Sequence, residues 1–247
     1  MVAAKAEALG YPILQFPGYF LAGAFVMDYQ ILPILEPAEV DRILLDLSRQ
    51  SFLDGRLTAL GGARSVKKNL QMDRAGAFAT EIEQLVLSGL KRNETFQAFA
   101  YPRRVMPPIF SRYEPGMEYG AHVDGAIMPT ATEPMRTDLA ITLFLSQPDS
   151  YEGGELILRL PSGEEEIKLA AGEAVVYSAK YVHRVGPVRS GVRLAAVSWV
   201  QSAVRDERMR ALLYDLHLAL RTLPEHDEAA LLVSKSYHNL LRLVSEL

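Results

Sequence analysis

The sequence predicts an α+β protein with a double-stranded β-helix (jelly-roll) core, N-terminal packing helices and a C-terminal helical segment. Three observations predict it. Apolar residues recur with helical spacing near both ends, at least six short β-like runs lie between residues 109 and 200, and turn residues separate those runs. At 247 residues, with 49% apolar and 23% charged side chains, the chain is long enough for a sizeable core. The expected division is an N-terminal extension (1–30), a helical or mixed support region (31–105), a barrel (106–202) and a C-terminal helical segment (203–247).

From Tyr11 to Met27 the chain is uncharged and largely apolar, which invites a signal or membrane segment. Pro12, Pro17 and Gly18 interrupt it, it is too short to span a bilayer as a helix, and only Lys5 precedes it, beside Glu7. It reads as an extension, with Met27 as an alternative start. Leu35 to Leu47 reads as helix, because Pro37 suits a first turn, acidic residues crowd the start and apolar positions recur. Ser51 to Gly62 reads as loop and turn. Ala75 to Leu90 returns to helix, with Ile82, Leu85, Val86 and Leu90 on one stripe.

After Pro107 and Pro108 the texture changes to strands: 109–113, 138–145, 155–160, 165–169, 174–177 and 194–200. Glu114-Pro115-Gly116, Gly153-Gly154, Pro161-Ser162-Gly163, Gly172 and Ser190-Gly191 separate them. Segments 203–221 and 226–245 read as helices with Pro224 between them.

A formal net charge of −4 argues against a general nucleic-acid binder. Zero cysteine excludes disulfides, thiolate nucleophiles, cysteine-ligated zinc, iron–sulfur clusters and thiolate-ligated haem, and it suits a reducing cytoplasm. A metal must therefore rest on carboxylates and five histidines. His122 and Asp124 stand at i and i+2 in Tyr119-Gly-Ala-His-Val-Asp124, so in an extended segment both face one side. With a third ligand and open positions, such a pair forms the facial triad of non-haem iron oxygenases. His183 follows one strand and precedes another, where the chain returns across a small barrel. Arg193 begins the next strand, and a guanidinium directed into a barrel requires an anion; its planar fork matches a carboxylate. His217 and His238 lie in amphipathic helices, and His226 at a helix start, so these three read as scaffold. Lys67, Lys68, Arg103 and Arg104 read either as a solvated basic face or as attraction for an anionic partner.

The run Arg112-Tyr113-Glu-Pro-Gly116-Met-Glu-Tyr119-Gly-Ala-His122-Val-Asp124 resembles the entry motif of Fe(II)/2-oxoglutarate dioxygenases of the prolyl-4-hydroxylase-like superfamily. More closely it resembles the bacterial PKHD-type hydroxylases, the iron-uptake-factor-like branch. Arg136-Thr-Asp-Leu139, Thr142-Leu-Phe-Leu-Ser146, Tyr151-Glu-Gly-Gly-Glu-Leu156, Arg193-Leu-Ala-Ala196 and Trp199-Val-Gln-Ser202 continue the likeness, which runs from about Met27 to the C-terminus. Val66-Lys-Lys-Asn-Leu-Gln71 departs from it at Lys68, where the pattern has Asn, and so leaves the pocket lining there open.

The resemblance implies that His122, Asp124 and His183 ligate Fe(II). It implies Arg193 as the anchor of 2-oxoglutarate and Tyr113 as a hydrogen-bond donor to the same carboxylate. Tyr119 is a candidate for the substrate entrance, while Trp199 reads as barrel filling. The implied reaction takes 2-oxoglutarate and O2, hydroxylates a small-molecule or peptidyl substrate and releases succinate and CO2, with L-ascorbate as reductant. No nucleic-acid or membrane partner is expected, and substrate and oligomeric state stay open. The alternative is a jelly-roll protein that binds a ligand or senses iron without turnover; it shares the His-Asp-His set but has no need of Arg193. A metal hydrolase would require a positioned general base, and the sequence offers none.

Overall fold

The computed structural model describes residues 28–58, 61–75, 79–130, 132–224 and 227–246. The N-terminal extension, the alternative start at Met27 and the scaffold role of His226 lie outside these residues.

Strand β1 (Tyr29–Pro33) leads into helix α1 (Pro37–Leu47). Pro37 sits in the first turn, and the Glu36 backbone N–H donates to Glu39 Oε2 at 2.9 Å, satisfying a helix-entry donor. Strand β2 (Phe52–Asp54), a 3-10 turn (Gly55–Leu57), the single turn α2 (Gly62–Ser65), β3 (Lys67–Lys68) and β4 (Leu70–Met72) follow. The expected loop over Ser51 to Gly62 thus contains a strand. Phe52–Asp54 pairs with Leu70–Met72 at the sheet edge, a non-local contact that three residues cannot announce.

Helix α3 (Ala79–Arg92) turns Ile82, Val86 and Leu90 fully inward, as the stripe predicted. Burying each such side chain contributes roughly 2 kcal/mol. Helix α4 (Glu94–Ala100) was not anticipated; its start is set by Asn93, whose side chain accepts the Phe96 N–H at 2.8 Å.

Beyond it run β5 (Pro102–Val105), β6 (Ile109–Tyr113), β7 (Glu118–His122), β8 (Ile127–Met128), β9 (Met135–Arg136) and β10 (Leu139–Phe144). Next come β11 (Tyr151–Gly153), β12 (Leu156–Leu160), β13 (Gly163–Ile167) and β14 (Glu173–Ser178). The last strands are β15 (Val182–Val185), β16 (Val188–Gly191) and β17 (Arg193–Ser202), before helices α5 (Glu207–Thr222) and α6 (Glu228–Val244). All six anticipated strands are present.

The strands form a jelly roll of two main antiparallel sheets. The larger has the order β1-β14-β10-β17-β6-β4-β2, with β5 also pairing β17; the smaller runs β13-β12-β15-β7-β3. Strand β10 shows why the run Leu139 to Phe144 is apolar throughout instead of alternating. Leu139, Ile141 and Leu143 share a core cluster with Ile82, Val86 and Leu90 of helix α3, whereas Ala140 and Phe144 cluster with Leu156, Leu158 and Val185 of the smaller sheet. A sheet covered on both faces has no solvent side for polar residues. Strand β13 is the opposite case: Glu164, Glu165 and Glu166 are exposed on an edge, where charge discourages pairing with another chain.

Helix α5 buries Leu213 and Tyr214, and Arg210 donates to the Val204 and Arg205 carbonyls at 2.8 and 3.0 Å. Helix α6 packs on α5, and its Tyr237 hydroxyl accepts from Tyr101 at 3.0 Å. Among the described residues, no helix is long and apolar enough to cross a membrane.

Candidate metal centre and its cavity

Strands β7 and β15 pair antiparallel with His122 directly opposite His183, which brings the ring centroids to 4.3 Å. Asp124 lies two residues beyond His122, past the end of the strand, and the i, i+2 geometry keeps it on the same face. Its Oδ2 stands 3.8 Å from His183 Nε2, and one ligand atom from each of the three residues falls within 4.8 Å of the others. Among the described residues this is the only such group of His, Asp and Glu.

The backbone sets the tautomers. His122 Nδ1 lies 2.8 Å from the Gly120 carbonyl oxygen and His183 Nδ1 lies 3.0 Å from that of Tyr181. A carbonyl only accepts, so each Nδ1 carries the proton and donates, leaving Nε2 with the lone pair a metal requires. Burial, and then the neighbouring His183, pushes the His122 imidazole down to about 4, so that ring is neutral at pH 7. Tyr119 stacks on His122 at 3.7 Å between centroids, and Tyr177 meets His183 edge-on at 5.4 Å. Two imidazoles and a carboxylate are a donor set suited to a divalent transition metal.

Arg193, at the start of β17, is 1% exposed and lies between two rings, 5.1 Å over Tyr113 and 5.2 Å over Phe144. Its Nε and Nη2 are buried without a hydrogen-bond partner, as are both side-chain amide atoms of Asn69, the Tyr151 hydroxyl and Trp199 Nε1. A buried guanidinium with unpaired donors costs several kcal/mol, roughly, unless an anion meets it. A dicarboxylic oxoacid is such an anion, so both the donor set and the orphaned guanidinium fit the groups the sequence implied.

The three candidate ligands, Arg193, Asn69 and Trp199 line one cavity of about 700 Å³. Its walls include Tyr113, Tyr119, His122, Asp124, His183, Arg193 and Trp199, all singled out in the sequence. They also include Lys67, Asn69 and Gln71, from the segment whose lining the sequence left open, and Thr58 and Tyr177, which sequence reasoning did not place there. The signal available for the first three was the polar alternation Lys67-x-Asn69-x-Gln71, which turns three side chains inward along β3, β4 and the residue between them. Lys68 points outward and is exposed, so the departure from the family pattern at that position lies away from the cavity.

The four basic residues, read either as a solvated face or as attraction for an anionic partner, do not share one face. Lys67 is buried in the cavity, Lys68 and Arg103 are exposed, and Arg104 pairs with Glu133 at 3.4 Å. Strand alternation separates adjacent residues to opposite faces, which adjacency in sequence conceals. His217 stacks 6.3 Å from Tyr214 within α5, and His238 Nδ1 lies 2.8 Å from the Ser234 carbonyl within α6; neither lines the cavity.

Residues 108–201 match the 2OG-Fe(II) oxygenase superfamily. A PKHD-type hydroxylase of Synechococcus elongatus is 44% identical over 216 residues, covering 86% of this chain and 97% of the relative. One of Burkholderia ambifaria is 43% identical over 220 residues, covering 86% and 96%. Among solved structures, a prolyl hydroxylase of Trichoplax adhaerens in complex with a hypoxia-inducible-factor peptide fragment aligns with a TM-score of 0.51 at 19% identity. That alignment covers 75% of this chain and 86% of the other, a likeness that concerns the fold.

Proposed function

Because the chain belongs to the PKHD-type hydroxylases and is an Fe(II)- and 2-oxoglutarate-dependent dioxygenase, we propose that His122, Asp124 and His183 hold the iron and that Arg193 anchors 2-oxoglutarate. One observation carries this reading: three ligand atoms converge within 4.8 Å in the same cavity as a buried guanidinium whose Nε and Nη2 are unpaired. When bound, the ferrous ion and the oxoacid supply the oxidising chemistry that hydroxylates a C–H bond and leaves succinate and CO2.

The chain's own residues do the rest. Asp124 offsets half the charge of a divalent ion, leaving a site that still attracts an oxoacid dianion. The Gly120 and Tyr181 carbonyls keep the two imidazoles in the ligating tautomer. Arg193 presents two donors to the remote carboxylate of the oxoacid, and the Tyr113 hydroxyl adds a third. Tyr119, Ile127, Met128 and Trp199 supply apolar surface to the cavity wall, against which a substrate can pack. L-Ascorbate as reductant rests on the family likeness alone. The substrate is a small molecule or a peptidyl residue. A non-catalytic binder would use the same metal ligands, but an unpaired guanidinium buried beside them favours turnover of an oxoacid.

The test is anaerobic addition of Fe(II) and 2-oxoglutarate, which should give a metal-to-ligand charge-transfer band that His183→Ala and Asp124→Ala abolish. An unchanged band in either variant overturns the ligand assignment. Screening cell extract for succinate formation, with mass spectrometry for a product heavier by one oxygen, then identifies the substrate.

A further inference from the structure

Lys67 is the second cation in the cavity, and the metal and oxoacid assignment gives it no role. It enters from β3 of the smaller sheet, opposite Tyr119 of β7, whereas Arg193 enters from β17 of the larger sheet. Its Nζ donates to Thr58 Oγ1 at 3.1 Å and stands 5.1 Å over the Tyr119 ring, the ring that stacks on His122. The Thr58 hydroxyl in turn donates to Gln71 Oε1 at 2.5 Å. An ammonium has three N–H donors. Among the described residues only Thr58 accepts one, and Lys67 forms no ion pair, although it is 7% exposed.

We propose that Lys67 anchors a carboxylate of the prime substrate, whose apolar body lies along Tyr119, Ile127, Met128 and Trp199 towards the metal ligands. This rests on the metal and oxoacid assignment above. Charge balance supports it. Among the described residues, the acidic and basic side chains lining the cavity are Lys67, Asp124 and Arg193. A divalent metal and an oxoacid dianion cancel one another, so with both in place the cavity keeps one uncompensated positive charge. In a buried site that charge favours a monoanion over a neutral guest. Lysine suits the task because its ammonium is a compact point charge that requires no planar partner. Burial pushes Lys67 down to about 8, which still leaves it mostly charged at pH 7. The competing role is purely structural, with Lys67 bracing the 3-10 turn through Thr58.

The lone tryptophan, Trp199, lines the cavity and reports on occupancy without turnover. The experiment titrates benzoate and, separately, benzamide into protein loaded with zinc(II) and saturating 2-oxoglutarate, following Trp199 emission. Wild type is expected to bind benzoate at least about tenfold more tightly than benzamide, a difference of about 1.4 kcal/mol. Lys67→Gln should lose that preference and Lys67→Arg should retain most of it, with 2-oxoglutarate affinity changed by less than about twofold in both. Equal binding in wild type, no benzoate response, or a preference that survives in Lys67→Gln overturns the proposal. The wild-type comparison stands even if a variant folds poorly. A tenfold loss of 2-oxoglutarate affinity in well-folded Lys67→Gln would also overturn it, because Lys67 would then serve the oxoacid. If instead 2-oxoglutarate fails to bind the metal-loaded wild type, the preceding assignment fails, and the benzoate titration without oxoacid still reads the anion preference.

Discussion

The Arg193 guanidinium lies 5.1 Å over the ring of Tyr113, its register partner across β17 and β6, and both side chains are buried. The negative face of the phenol holds the cation by its charge and leaves Nε and Nη2 free to meet a ligand. The proposed anchor is thus oriented before any anion arrives, which lowers the ordering cost of binding.

Replacing Arg193 with Met should therefore weaken 2-oxoglutarate binding by about 10- to 100-fold, the loss expected from charge-assisted hydrogen bonds of about 1.5–3 kcal/mol. Metal affinity should stay within about twofold. Arg193→Lys should recover only part of the loss, because an ammonium lacks the planar fork. Calorimetric titration of the metal-loaded protein measures this, and an unchanged Kd in Arg193→Met would place the anchor elsewhere.

Asp124→Asn keeps the shape of the side chain but removes the negative charge that a divalent ion meets. Metal affinity is expected to fall by at least about 100-fold, roughly 3 kcal/mol. Competition against a chromophoric chelator reads the constant directly. Retention of wild-type affinity would remove Asp124 from the ligand set.

Gly120 has no room for a side chain. A Cβ built there meets Val66 Cβ at 2.8 Å, and a β-branched residue has no flexible end to move aside. Gly120→Ala should lower stability by about 1–3 kcal/mol. It should also weaken metal binding, because the Gly120 carbonyl accepts from His122 Nδ1. Urea unfolding and metal titration together test both effects; a destabilised variant with unaltered metal affinity would separate the backbone position from the tautomer it supports.

Lys67 makes stability depend on alkaline pH in the metal-free protein. Its folded value of about 8 lies below the ordinary 10.5, with burial as the main cause. Between the two, the unfolded chain holds the proton and the folded chain does not, so stability rises with pH across that window. The penalty for burying the charge is about 3 kcal/mol at pH 7 and about 1 kcal/mol at pH 10. Relative to Lys67→Met, wild type should thus gain about 2 kcal/mol between those conditions. Paired urea melts at the two pH values test this, and a constant difference would show that the ammonium is not desolvated.

Part of the candidate metal centre was legible because one of its spacings is local. His122 and Asp124 share a face by the period of an extended chain, and the order His183 then Arg193 marked a returning strand and the start of the next. The long apolar run at Leu139 to Phe144 announced a central strand, and the stripe Ile82, Val86 and Leu90 announced a helix, since each repeats a period over enough residues to be recognised.

By itself, then, the sequence determined the secondary-structure class of its longer segments through backbone periodicity, and it singled out His122 and Asp124 as a candidate ligand pair by their i, i+2 spacing, while the family likeness added His183. Only the tertiary structure decided that Lys67, Asn69 and Gln71 face the cavity while Lys68 faces solvent. Strands β3 and β4 span two and three residues and owe their existence to pairing with β7, β6 and β2. A strand that short has no period of its own, so partners distant in sequence choose which of its side chains are buried.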